Sequence, residues 1–146
     1  MHQTLVPLTW NQEIYYLLIL TCKIILRRII IFALNFQSPN HEKLLLSRTK
    51  NCTIRLGDIR DSYPENSIVS ITFGKKFSPK RKLYSAIVDK VCIKKFSQLN
   101  HGDLDHQNPE IKSIEELIIF FEKIYERSIM PDDTVTVIYF SEITND

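Results

Sequence analysis

The stretch SRTKNCTIRLGD, residues 47 to 58, gathers polar donors in a chain otherwise rich in isoleucine and leucine. Lys50 is a point charge with three N–H groups. Thr53 supplies a hydroxyl, and Arg55 a planar guanidinium whose fork matches a phosphate or the edge of a base. Thr53 and Arg55 are two residues apart, so on a strand they share one face while Cys52, Ile54 and Leu56 share the other. The apolar face belongs to a core. The polar face is either a solvated strand surface or the floor of a site.

A second polar cluster is KKFSPKRK, residues 75 to 82, with five basic residues in eight. It reads as a hairpin loop. Its ordinary meaning is a solvated turn, and its sharper meaning is a phosphate-binding loop in which Lys75, Lys76, Lys80, Arg81 and Lys82 form a positive surface. Tyr63, Phe73, Phe77 and Tyr84 lie near it. Their rings are either hairpin packing or faces on which bases stack, as in single-strand binders.

Other chemistries find little support. His101, Asp103, Asp105 and His106 match no standard metal spacing, so no metal is expected. The three glycines are far apart and form no phosphate-cradling loop. No Ser-His-Asp set or nucleophile elbow is visible, and no cofactor is implied. Cys22, Cys52 and Cys92 form no Cys-x-x-Cys pair, which points to free thiols in a reducing cytoplasm rather than to a zinc ribbon or a disulfide framework.

These residues need elements to position them. The chain has 146 residues, 44% apolar and 25% charged, which suits one globular domain. Residues 1–100 carry 16 Lys/Arg against 6 Asp/Glu, net +10, and residues 101–146 carry 3 against 11, net −8. One basic and one acidic face are expected. The apolar N-terminal stretch is interrupted by Lys23, Arg27 and Arg28, and its longest uncharged run, Ile14 to Cys22, is nine residues. That is too short to span a bilayer, and no basic n-region marks a secretory signal. Residues 12–27 read as a helix that packs on the domain, on a second copy or on a membrane surface, and 29–36 as a strand.

A short helix is expected over 39–47, capped by Ser38 or Asn40, and then the strand CTIRL. Next come a Pro-Glu-Asn turn, a strand from Ser67 to Phe73, and a long β segment beginning at LYSAIV and bent near Asp89. HGDLDHQNPE reads as a loop. SIEELIIFFEKIYER, 113–127, is the clearest helix. Ser113 and Glu116 form a capping box, and Ile114, Leu117, Ile118, Phe121, Ile124 and Tyr125 form an apolar stripe assigned to the core. TVTVIYFSEI is a final strand, apolar on both faces and therefore interior. The class is α+β, with a small curved sheet or barrel.

RTKNCTIR resembles the signature of the ASCH domain (activating signal cointegrator homology), a relative of the PUA domain. That signature is Gly-x-Lys-x-x-Thr-x-Arg, and Lys50, Thr53 and Arg55 match it. LNFQSPNHEKLLLS is similar to the family's first strand and short helix, and TIRLGDI and NPEIKSIEELIIFFEKIY are similar to segments of archaeal-type small members. The resemblance covers about residues 29–143. It divides the chain into an apolar and basic extension, 1–28, and an ASCH domain, 29–146. It implies a PUA-like β-barrel with flanking helices and a cleft lined by the motif that binds RNA or a nucleotide-like ligand. Some small members deacetylate N4-acetylcytidine. In that case Lys50 would activate the Thr53 hydroxyl as nucleophile, together with a glutamate placed before the late helix. Two positions depart from the pattern. Arg48 stands where the glycine would be, and Gln107 falls on the glutamate, with Asp105 and Glu110 the nearest acids. A third reading is a non-catalytic interaction module whose N-terminal helix mediates dimerisation or attachment.

Overall fold

The computed structural model describes residues 32–144. The expected helix over 12–27, the whole 1–28 extension and the first three residues of the strand expected over 29–36 lie outside the described residues. The elements follow as β1 (Phe32–Phe36), α1 (Pro39–Leu46), β2 (Cys52–Leu56), β3 (Ile68–Phe73), β4 (Arg81–Lys95), α2 (His101–Gln107), α3 (Ile114–Tyr125) and β5 (Thr134–Glu142). The five strands form one curled half-barrel sheet in the order β1-β3-β4-β5-β2. Only β1 and β3 run parallel; the other pairs are antiparallel. The architecture is α+β, as the pattern implied.

Strand β4 gives the sheet its curl. It is 15 residues long and reaches both β3 and β5. Its register with β5 shifts between Val88 and Lys90, a bulge that bends the strand where the sequence suggested, near Asp89. Interior β5 is buried on both faces. Val135 and Val137 join a core with Cys52, Ile54, Leu104, Leu117 and Phe121, under α2 and α3. Ile138 and Phe140 join a second core with Leu34, Phe36, Leu45, Ile71 and Val88. Continuous apolarity in the sequence thus reflects two cores, one on each side of the sheet.

The region His101–Gln107 is a helix, where the polar sequence suggested a loop. Asn100 caps it: its side-chain oxygen accepts from Asp103 N at 2.9 Å, and Asp103 Oδ2 accepts from Asn100 N at 3.1 Å. Asn-x-x-Asp is a capping box written without Ser or Glu. At α3, Ser113 Oγ accepts from Glu116 N, but Glu116 Oε2 accepts from Lys112 N, so the box there is only half formed. Ser38 precedes α1 without a side-chain cap; Pro39 at the first turn starts that helix instead.

Candidate functional site

Strand β2 sorts its residues as the alternation requires. Cys52 and Ile54 enter the core beneath α2 and α3. Thr53 and Arg55 face the other way and line a cleft of about 450 Å³. Thr53 is buried rather than solvated. Arg55 sits where the two outer strands of the sheet approach each other. Its Nη2 donates to the Asn35 carbonyl of β1 at 2.9 Å, and its guanidinium lies 5.2 Å from the Phe36 ring. Since β1 and β2 are at opposite ends of the strand order, this contact bridges the open seam of the half-barrel. Asn35 is itself fixed, donating to Gly74 O and accepting from Thr72 Oγ1. Arg55 Nε is buried and has no partner among the described residues.

Lys50 lies deeper, 1% exposed. Its ammonium donates to Cys52 O at 2.7 Å, to Gln107 O at 2.6 Å and to Gln107 Oε1. Gln107 closes α2, so the cation also meets the negative end of that helix. Burial drives the Lys50 pKa well below the usual lysine range; the Cys52 thiol opposes this and the Arg55 charge adds to it. The three oxygens also resist the drop, because only the ammonium has three N–H groups to give. Gln107 Oε1 additionally accepts from Ile54 N at 3.3 Å, which ties α2 to β2.

His41 on α1 also lines the cleft, with its ring between Phe36 and Phe120. Burial, then the charges of Lys50 and Arg55, push its pKa down to about 3, so it is neutral at physiological pH. Its Nε2 is buried without a partner among the described residues. The opposite wall is the C-terminal end of α3: Phe120, Phe121, Ile124 and Tyr125. This corrects the assignment of the whole apolar stripe to the core. Leu117 and Phe121 are buried, but Ile124 is 56% and Tyr125 38% exposed. Tyr125 accepts Leu56 N at its hydroxyl, leaving that O–H free to donate.

The basic loop is divided in its roles. Lys76 lines the cleft. Lys80 folds back onto Lys75 O and Ser78 O, and Arg81 pairs with Glu42. Lys75 and Lys82 are exposed, with no carboxylate partner among the described residues. Among the described residues, His101, Asp103, Asp105 and His106 do not converge on a common point. Asp103 is buried, and hydrogen bonds from Lys94, Tyr139 and Asn100 N outweigh its burial and keep its carboxyl below the usual range. His101, Asp105 and His106 are exposed.

Three solved structures share this architecture. Protein EF3133 from Enterococcus faecalis V583, of the DUF984 family, matches with TM-score 0.60 and 17% identity over 91% of this chain and 92% of its own. Hypothetical protein PH0355 matches with TM-score 0.58 and 17% identity, over 78% of this chain and 100% of its own. An ASCH domain from Lactobacillus crispatus JV V101 matches with TM-score 0.58 and 11% identity, over 94% and 98%. The chain has the ASCH-domain fold. No family model matches the sequence, and no curated protein matches it significantly.

Within the ASCH fold both departures from the signature acquire a physical reading. Arg48 follows the cap residue of α1 and has φ of 61°, the left-handed position that helices end on and that glycine adopts without strain. Arginine is held there by a fork of two bonds to Glu142, by bonds to Leu45 O and Leu46 O, and by stacking 3.9 Å above the Tyr84 ring. Gln107, which the resemblance sets at the glutamate position, puts its amide oxygen on Lys50. Among the described residues no helix is long and apolar enough to cross a membrane.

Proposed function

We propose that the cleft binds a nucleotide-like ligand, free or as part of RNA. The observation that carries this reading is the pinned Arg55. It is fixed to Asn35 at one nitrogen, has an Nε–H without an acceptor among the described residues, and lines a cleft walled by aromatic and aliphatic side chains. Among the described residues no carboxylate lines the cleft. Such a site suits a flat, acceptor-rich group, with Arg55 on its polar edge and Tyr125 or Phe120 along its face. Lys50 spends its three N–H groups on protein oxygens, so it supports the floor from below. Lys76 supplies charge at the rim.

Amide hydrolysis through Thr53 and Lys50 is the second reading. The depressed Lys50 pKa, on a group bonded to the carbonyl of Cys52 next to Thr53 in the chain, favours it. Against it stands the lack of a proton-exchanging acid in the cleft among the described residues. Gln107 cannot fill that role, Asp105 is exposed, and Glu110 accepts from Asn40 at the surface.

The test is a titration against a short single-stranded RNA and the four nucleoside monophosphates, at two salt concentrations, with N4-acetylcytidine checked for turnover. Arg55→Ala should weaken binding by about tenfold or more, because a charge-assisted bond is lost. Its thermal unfolding should remain cooperative. Arg55→Lys should recover little, since the fork and not the charge alone is recognised. Undiminished binding by Arg55→Ala overturns the reading, and turnover of the acetylated nucleoside replaces it with the hydrolytic one.

A further inference from the structure

Resting on the cleft as a nucleotide site, we infer that the loop Lys75–Lys82 is a second contact for the same strand, in which Phe77 stacks on a base next to the one held in the cleft. The preferred partner is then a single-stranded RNA segment rather than a mononucleotide.

Phe77 is 95% exposed, the most exposed large apolar side chain among the described residues. It belongs to neither hydrophobic core among the described residues. Of the four aromatic residues near the basic segment, Tyr84 is buried in the barrel core, and Tyr63 and Phe73 are half-buried. Phe77 alone presents its ring to solvent. It also has φ of 61°, an unfavourable conformation for a bulky side chain that no buried contact compensates.

The loop is built to hold that shape. Ser78 N closes a turn on Lys75 O at 3.2 Å, and Lys80 Nζ ties Ser78 O at 2.7 Å and Lys75 O. At its base the chain is pinched. A Cβ on Gly74 would meet Pro79 O at 2.8 Å, so glycine is required for the close approach. Lys76 N donates to Gln37 Oε1 at 3.3 Å, and both residues line the cleft. The loop is therefore continuous with the cleft rim. Lys76 Nζ lies 5.1 Å from the Phe77 ring centroid, and Lys75 and Lys82 stand free of carboxylates among the described residues. An exposed ring flanked by unpaired lysines and joined to a base-sized cleft matches what a single strand offers: stacked bases on a charged backbone. An anionic bilayer shares the charge but not the continuity with the cleft, and one ring is a weak anchor.

The experiment compares wild type, Phe77→Ala and Phe77→Trp against a fluorescein-labelled mixed-sequence RNA hexamer, the four nucleoside monophosphates, and phosphatidylserine-containing vesicles. The hexamer should bind more tightly than any monophosphate. Phe77→Ala should weaken the hexamer by about tenfold and leave the monophosphates unchanged, as loss of one stacked base requires. Phe77→Trp should restore hexamer binding, and its fluorescence should be quenched on stacking. Equal hexamer binding by Phe77→Ala, or no preference for the hexamer, overturns this inference while leaving the cleft reading standing. Vesicle binding lost in Phe77→Ala with hexamer binding intact overturns it in favour of a lipid surface. Failure of hexamer and monophosphates alike removes the cleft reading, and this inference with it.

Discussion

The cations around the cleft divide into two sets with opposite surroundings. Lys50 and Arg55 are enclosed: every N–H of Lys50 meets a protein oxygen, and Arg55 bridges two strands. Lys75, Lys76 and Lys82 stand in water with no carboxylate beside them among the described residues. Burial makes a charge expensive unless oxygens surround it, so a buried lysine becomes part of the framework. An exposed lysine stays free to attract an anion, and salt screens it. Counting basic residues mixes these two uses. The geometry separates a pair that fixes the shape of the site from a group that supplies its field.

Breaking the buried set should have the largest effect. Gln107→Leu removes the amide oxygen shared by Lys50 Nζ and Ile54 N, while the ammonium stays enclosed. A loss of about 3 kcal/mol is expected in urea unfolding, because a buried charge is left short of partners. Adding Lys50→Met to Gln107→Leu should recover more than half of that loss, since no charge then needs an acceptor. A double variant no more stable than the single one would show that Gln107 serves packing rather than the Lys50 charge.

His41 reports the same buried field through pH. The unfolded chain protonates this residue near 6.5, whereas the folded chain refuses the proton until about 3. Between these values the unfolded state binds more protons, so stability falls as pH falls, by up to about 1.4 kcal/mol per pH unit from this residue. His41→Phe keeps a ring between Phe36 and Phe120 and should flatten that slope. Asp103, whose carboxyl is also held low, is present in both proteins and cancels in the comparison. An unchanged slope in His41→Phe would mean that the ring gains solvent as the pH drops.

Local pattern carried much of the fold into view. The two-residue alternation of Cys52–Leu56 assigned Thr53 and Arg55 to a separate face, and the cleft lies on that face. The bend at Asp89, the α3 helix and the interior position of β5 were equally legible, because each follows from neighbours in the chain. Helix α2 was not legible from hydrophobic period, since its seven residues carry one leucine; its only signal was the pair Asn100 and Asp103. The cleft itself was half visible. Its floor is one strand, but its walls come from Asn35–His41 and Phe120–Tyr125, brought together by the curl of the sheet. Nothing in the spacing of Ile124 and Tyr125 distinguishes a cleft wall from core, because both require an apolar stripe on one side of a helix.

The smallest effect is expected at Arg48, an exposed cation that makes many contacts. Its side chain is 42% exposed, and its partner Glu142 is 29% exposed. The two bonds to Glu142 are well formed, yet an ion pair in water gains little over its hydrated charges. Against that small gain stands a left-handed backbone that costs any side chain and costs glycine nothing. Glycine also brings a more flexible unfolded chain, which opposes the relief of strain. Arg48→Gly should therefore leave the unfolding temperature within about 2 °C of wild type. Raising the salt concentration should change the wild-type value as little as the variant's. A fall of more than about 5 °C would place Arg48 with Lys50 among the framework cations, and its stacking on Tyr84 would then be the contact responsible.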